Sequence, residues 1–469
     1  MSARSLLLVA AAMSLMACAG LPPKTGPVRL AKDAPLSDMP GGGSWPIAEW
    51  WKQYRDEDLD RLIDMALQNS PTVATAQARF DSARQSVRLA GAVSGAQIDA
   101  SGETSRQRLS DNGLFPPRLL GFHWYNLEDL GLRASYTFDW WGKQKDSVEA
   151  AMDEAHAAQA DRAAAALVLA SSVADAYFGW QSDQSRLSLA RERETMVARE
   201  GAILDARIGA DLESPDERQR ATSNLAAVRG QIAEFDGSAR LRIVALAALV
   251  GQPTADLPAL KSKAIPVAHA GLPDDVRLDL IARRADLTAS RWRVEAAQKN
   301  RDSARADFLP DISINALVGL QSVDLGKLFE YASRVPSVTA AVHLPIFDGG
   351  RLKARYGATQ AAVDAAVASY RETLIGAARE VAIQAATSVQ IGAERSQRVI
   401  EVDAAERLKS SAAARVRQGL SDSRAELAAS ESWLVQRDAL LQLDAAALSS
   451  DIGLKRALGG GYERNDKSP

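Results

Sequence analysis

The chain has 469 residues, 46% hydrophobic and 25% charged, with a formal net charge of −3. That length supplies two or three ordinary domains, but aromatics are only 6% and alanine fills the helical stretches, which suits thin seams between helices better than one thick core. Basic and acidic residues are interspersed, so no nucleic-acid surface is indicated, and the single cysteine, Cys18, excludes intrachain disulfides and cysteine-based metal sites.

Residues 1–17 read as a bacterial secretory signal, with Arg4 as the positive region and Leu6 to Leu15 as the apolar stretch. Leu15-Met16-Ala17-Cys18 resembles a lipobox, which makes Cys18 the lipidation site and the new N-terminus. Ala19 stands where an aspartate retains many lipoproteins at the inner membrane, so the outer membrane is expected. The alternative is an ordinary signal peptide with a chance cysteine. Residues 18–48 are rich in Pro and Gly and read as an extended tether. No later run of about 18 apolar residues predicts a transmembrane helix.

A first half spans 49–252. Its helix starts near Trp50-Trp51 and Asp56-Glu57, runs through Leu67 and is broken at Asn69-Ser70-Pro71, and a second helix covers 71–94. Strands follow over about 95–138: a weak one near 96–107, a loop at Pro116-Pro117, then alternating Leu132, Ala134, Tyr136 and Phe138. A long helix over 143–208 reaches Gly209, with a tip over about 207–214 and a return helix over 214–250. Prolines 253, 258, 266 and 273 mark a connector, residues 253–271.

The second half, 272–458, repeats the order. Helices open at Leu272-Pro-Asp-Asp and at Asp286, and strands occupy about 311–346, with Ile312, Ile314, Ala316, Val318 and Leu320 alternating, then Val338, Ala340, Val342 and Leu344. A helix over 350–417 ends at Gly419, with a tip over about 417–424, and a return helix covers 422–457. Residues 459–469 read as a flexible tail. Tyr136-Thr-Phe-Asp-Trp-Trp-Gly-Lys143 and Leu344-Pro-Ile-Phe-Asp-Gly-Gly-Arg351 are related by an offset of 208 residues, so two halves bury similar faces. Coiled-coil spacing recurs at Leu225, Val228, Ile232, Phe235 and Ala239, and every seven residues at Val367, Leu374 and Val381 and at Leu420, Leu427, Leu434 and Leu441. The long helices come to roughly 100 Å each, matched in each half by the sum of two shorter ones at roughly 90 Å.

Each strand is near the 9–11 residues that a tilted membrane strand needs. Four strands cannot span lipid alone, because an open edge leaves backbone groups unpaired. Copies of the chain can complete the sheet, with eight strands from two chains or twelve from three. The competing arrangement is a small water-exposed sheet packed on the helices. Enzyme signals are absent: His123, His156, His269 and His343 are scattered without ligand spacing, and the glycines at 41–43 precede no lysine-bearing helix start. No catalytic residue, metal site or cofactor is expected.

Several motifs carry a family resemblance over nearly all of the mature chain. Trp50-Trp51, Asp58-Leu59-x-x-Leu62-Ile63 and Ala66-Leu67-x-Asn69-x-Pro71 match one opening; Gly271-Leu-Pro-Asp-Asp and Arg283-Arg284-Ala285-Asp286 match a second, with Ala285 at a usual proline; Leu344-Pro-Ile-Phe-Asp-Gly-Gly-Arg351 is the most specific. The chain resembles the TolC-like outer membrane factors, in particular their NodT-type efflux lipoproteins. The resemblance implies a mainly α fold with a β-barrel part: an internally duplicated chain forming a homotrimer, with a twelve-stranded transmembrane barrel in the outer membrane and a long coiled-coil tunnel in the periplasm. It implies passive conduction of substrates expelled by an inner-membrane resistance-nodulation-division pump, joined through a periplasmic adaptor (membrane fusion) protein. An exit duct for protein secretion and a non-conducting periplasmic coiled-coil scaffold are the alternatives.

The resemblance also places the adaptor at the helix tips, Ile208, Gly209 and Ala210 in the first half and Gly419, Leu420 and Ser421 in the second. Both glycines are expected to end their helices at positive φ. Asp422, and with less weight Asp211, are candidates for a periplasmic gate, where symmetry copies of one carboxylate around an axis favour cations. Family members often carry that acid one residue earlier, at Ser421, and Asp422 is equally suited to cap the return helix. Tyr136, Phe138, Trp140, Trp141 and Phe347 read either as an aromatic girdle at a membrane boundary or as fillers where strands give way to helices.

Overall fold

A computed structural model describes residues 21–463 except 27, 31–33, 35–41, 114, 269–270 and 275. Cys18, the expected signal peptide and His269 lie outside the described residues. The first helix does not open at Trp50. A 3-10 turn, Trp50–Tyr54, comes first, closed by Arg55 in the left-handed region (φ 53°). The Asp56 carboxylate then accepts from the amides of Asp58 and Leu59 and caps α1 (Glu57–Asn69). Leu59, Leu62, Ile63 and Ala66 form its buried stripe. Ser70 ends it, and Pro71 starts α2 (Pro71–Ser94), where a missing N–H costs nothing. No residue of α2 is buried within the chain.

The remaining elements are β1 (Gln97–Arg108), α3 (Pro117–Leu120), β2 (Trp124–Phe138), α4 (Lys143–Ile208), α5 (Pro215–Val250), α6 (Val276–Arg283), α7 (Ala285–Ala306), β3 (Asp311–Ser322), β4 (Arg334–His343), α8 (Arg351–Arg417) and α9 (Ser423–Ala457). Two differ from expectation. The Pro116-Pro117 loop contains the one-turn α3, with Pro117 at its first position. Strand β2 begins at Trp124, ahead of the alternation that starts at Leu132, because Asn126 and Glu128 interrupt the apolar pattern without ending the pairing. Helices α4 and α8 run 66 and 67 residues, about 100 Å each. Carboxylates start both: Asp139 accepts from the amides of Gln144 and Lys145, and Asp348 from those of Gly350 and Leu352.

The chain forms two compact units that cut across the sequence halves. One gathers Met1–Leu30, Phe80–Ala158 and Ser290–Tyr370; the other gathers Ala31–Arg79, Gln159–Ala289 and Arg371–Pro469. Each takes pieces of both halves, as a duplicated chain burying like faces should.

The first unit holds the sheet. Its strands run in the order β1-β2-β3-β4, all neighbours antiparallel, and β1 and β4 do not pair with each other. Below the sheet, Asp307 of α7 is bonded by Lys143 Nζ (2.9 Å) and Arg355 Nη1 (2.9 Å), one cation from each long helix. The tether lies along α7: Gln298 accepts from the Val28 amide (2.9 Å), and Arg305 donates to the Pro22 carbonyl (2.9 Å).

The second unit has a core of Trp50, Trp51, Leu59, Leu62, Ile63, Tyr177, Phe178 and Leu246, with Leu448 and Ile452 packed in. The Asp56 carboxylate accepts from Tyr177 (2.8 Å) and Lys263 (2.6 Å), which ties the connector to the opening helix. Part of α4 is long and apolar enough to cross a membrane by length and composition, contrary to the sequence expectation. Alanine supplies much of that apolarity, and Leu169, Val173, Ala174 and Tyr177 are buried in this core. Coiled-coil positions Val228, Phe235 and Ala239 are buried, as are Leu374, Val381, Leu427 and Leu434. Past Ala457 the expected tail does not begin at once: Gly459, Gly460 and Gly461 all have positive φ and the first two are buried.

Candidate functional site

Two regions carry functional geometry, and each lies within one unit. The first is the sheet. Residues directly opposite in an antiparallel ladder share a face. The register therefore groups Ile98, Ala134, Ala316 and Val338 in one row, and Ala100, Leu132, Val318 and Pro336 in the next. Tyr136, Ile314 and Ala340 form another row, then Phe138, Ile312 and Val342. All three alternating runs read in the sequence thus lie on one apolar face. Much of it is open: Ile98 is 72% exposed, Val318 68% and Val338 78%. The opposite face carries Asp99, Ser101, Glu103, Asp129, Arg133, Ser313, Asn315, Gln321 and Thr339.

From Phe138 to Leu130 the apolar band covers about 27 Å along the strand, or about 21 Å high at a tilt of about 40°. Such a sheet, apolar outside and polar inside, is the wall pattern of a transmembrane barrel. By itself it cannot span lipid: β1 and β4 each pair on one side only, and their outer edges expose backbone N–H and C=O groups that lipid cannot satisfy.

Aromatic residues mark the helix end of the band. Tyr136, Phe138 and Trp140 stack edge to face at 5.0 and 6.5 Å. Trp140 is 67% exposed and Phe347 93%, and the Trp141 indole donates to the Pro310 carbonyl at 2.9 Å while remaining open to solvent. Within one copy Trp140 and Phe347 are uncovered, whereas Phe138 is half-buried and Trp141 is tied to the strand-to-helix junction.

The second region is the pair of helix tips. In the first, the Leu212 amide donates to the Arg207 carbonyl and the Asp211 amide to the Ile208 carbonyl. In the second, Leu420 donates to Arg415 and Gly419 to Val416. Both are Schellman endings, whose C′ residue must be left-handed. That residue is Gly419 (φ 69°) in the second tip but Asp211 (φ 58°) in the first. The expectation that Gly209 takes positive φ is therefore corrected. The repeat offset explains why: 208 residues separate 211 from 419, 212 from 420, and 214 from 422. Gly209 sits two residues before the left-handed position.

Equivalent positions do equivalent work. Ser214 caps α5 through the Asp216 amide, and Asp422 caps α9 through the Arg424 amide. Leu212 and Leu420 are exposed at 65% and 72%. Of the other tip candidates, Gly209, Ala210 and Gly419 are exposed, while Ile208 and Ser421 are half-buried.

Asp422 is a helix cap with a charged neighbour. Its carboxyl accepts from Arg424 N at 3.2 Å and lies 3.6 Å from the Arg207 guanidinium. The backbone hydrogen bond, then Ser423 and the two arginines, hold it below the ordinary carboxylate range. Glu213 accepts from Arg207 (3.2 Å) and Arg424 (2.9 Å), so one glutamate ties the two tips together. This cluster of Arg207, Glu213, Asp422 and Arg424 was not read from the sequence. Aligning the tips at the repeat offset would have placed Glu213 and Asp422 at adjacent turn positions. Asp211, the other gate candidate, is exposed and serves as the left-handed residue of its turn.

The chain matches a family model described as outer membrane efflux protein over residues 62–252 and again over 277–460, once in each half. It is 33% identical over 443 residues to the multidrug resistance outer membrane protein MdtP of Escherichia coli, covering 93% of this chain and 90% of that one. It is similar to the crystal structure of the outer membrane protein VceC of Vibrio cholerae, with a TM-score of 0.78 and 32% identity over 89% of this chain and all of the other. The CmeC outer membrane channel of Campylobacter jejuni shares the fold, with a TM-score of 0.82 at 22% identity over 95% of this chain and 96% of that one.

Proposed function

Because the chain belongs to the outer membrane efflux protein family, we propose that three copies close their four-stranded sheets into one twelve-stranded barrel and conduct substrates passively out of the periplasm. The protein is an outer-membrane efflux channel component with a TolC-like fold. The relative MdtP carries multidrug resistance in its name, which supports small expelled compounds over secreted proteins as cargo. The observation that carries the reading is the open sheet with one apolar and one polar face. A water-exposed sheet packed on helices has no use for a continuous apolar face that the chain leaves uncovered.

Energy must come from elsewhere, since a passive barrel stores none. An inner-membrane resistance-nodulation-division pump supplies it, and a periplasmic adaptor joins pump to channel. The tips suit that docking role. Gly419 lets the backbone turn without a Cβ, and each tip presents an uncovered leucine, Leu212 or Leu420, at matching positions of the repeat. Lipidation at Cys18 would hold the mature N-terminus at the membrane.

Asp422 gates, in this reading, as part of an ion-paired cluster and not as a bare acidic ring. Its charge is balanced by Arg207 within the same copy, which weakens repulsion between symmetry mates. Conductance across a planar bilayer tests the channel assignment. Steps of constant size are expected from the purified oligomer. A protein that assembles and inserts but passes no current is a scaffold.

A further inference from the structure

The apolar face carries a groove of about 450 Å³ toward its loop end. Ala100, Leu130, Leu132, Val318 and Pro336 line it, and its one charged wall is Arg334. Arg334 opens β4 on this same face, directly opposite Leu320. Its guanidinium rests on the Tyr331 ring, 4.4 Å from the centroid, and among the described residues it is paired with no carboxylate. On β1 the same face continues to Arg106, placed over Trp124 at 5.8 Å, and to Arg108, 3.6 Å from Asp111. The one carboxylate of this face within the paired strands is Glu128, which is buried (9% exposed).

The two ends of the face therefore differ in charge. Its helix end has aromatic and aliphatic rows only, Tyr136 with Ile314 and Ala340, then Phe138 with Ile312 and Val342. Its loop end has three outward arginines. A plain hydrocarbon slab would reward neither the groove nor the asymmetry. An unpaired guanidinium at the rim of an apolar slot matches a ligand with an acyl chain and an anionic oxygen cluster at one end. Guanidinium and phosphate bond through two parallel N–H···O contacts, and an acyl chain gains stabilisation with every CH₂ it buries in the slot.

We propose that this groove seats one acyl chain of a phosphorylated lipid of the outer leaflet, with the phosphate on Arg334. The proposal rests on the reading above that the apolar face meets lipid and the loops point outward. The site belongs to each copy, so binding saturates at one lipid per protomer.

The test is native mass spectrometry of the delipidated oligomer titrated with diphosphorylated lipid A. Its dephosphorylated form and inorganic phosphate serve as comparisons. Wild type is expected to retain one lipid per protomer, with dephosphorylation weakening binding about tenfold, the scale of one charge-assisted hydrogen bond. Arg334→Gln should weaken the phosphorylated lipid by a similar factor and leave the dephosphorylated one unchanged. Val318→Trp, which fills the groove, should weaken both. Equal binding of the two lipid forms to wild type overturns the proposal, as does binding that never saturates. Displacement of the lipid by millimolar inorganic phosphate also overturns it, because the headgroup alone would then suffice. If instead no oligomer is seen, the barrel reading itself fails, which the same spectrum reports separately.

Discussion

Asp153 on α4 is a carboxylate whose surroundings oppose its charge. It lines a cavity with Glu149, Glu295, Lys299 and tether residues 24–26. Burial, then Glu295, Glu149 and Glu154, push it up to about 7, against the pull of Lys299. The folded chain keeps a proton there that the unfolded chain has lost, so stability falls as pH rises from about 4 to about 7. Asp153→Asn should therefore melt above wild type near pH 8 and alongside it near pH 4. An equal gap at both values would show that the carboxyl stays ionised. At the second tip, cap and gate roles of Asp422 separate by substitution. Asn keeps the cap and loses the charge, whereas Ala loses both. If the paired charge governs ion passage, both variants shift cation selectivity in bilayer recordings. If capping is the whole role, Asp422→Asn records as wild type. The cap reading of Asp422 was available from its place before a helical run, but its partner Arg207 lies 215 positions away in sequence and only the folded tips bring them together.

Helices and strands obey their own local rules, and most of their bounds were legible. Pro71, Pro215 and the caps Asp56, Ser214 and Asp422 fix starts where side chains satisfy the first amides. The tips were harder, because a glycine near a helix end attracts attention whether or not it holds the left-handed slot. Gly419→Ala should destabilise its hairpin by about 1 kcal/mol, Gly209→Ala should be tolerated, and Asp211→Gly should stabilise by a few tenths. Thermal unfolding ranks them; a larger loss at Gly209 than at Gly419 would contradict the turn assignment. In the sheet, neighbours in sequence face opposite media. Ala316→Arg, mid-band on the apolar face, should cost about 2–4 kcal/mol and reduce the heat-sensitive oligomer on a gel. Asn315→Arg, on the polar face, should assemble normally. Equal behaviour of the two would mean that the sheet lies in water. The first eight residues of β2, ahead of Leu132, escaped notice because Asn126 and Glu128 occupy the apolar face's positions beyond the band, where periodicity stops being apolar.

A single copy is incomplete in several places at once. Two strand edges are open, α2 buries nothing, and helical Leu89, Val93, Leu241, Ile375, Ile400 and Leu408 are each more than 60% exposed. The duplication at an offset of 208 announced the paired hairpins, and the four strands announced that one chain could not close a barrel. How the halves interleave was not legible, since the compact units draw on residues hundreds of positions apart and no local pattern encodes that pairing. All the open surfaces are met if copies of the chain pack side by side around an axis. The protein mass of the particle extracted from membranes, measured by sedimentation with the detergent contribution subtracted, tests this most directly. Three protomer masses are expected; one protomer mass, in a particle that still conducts, would contradict the account.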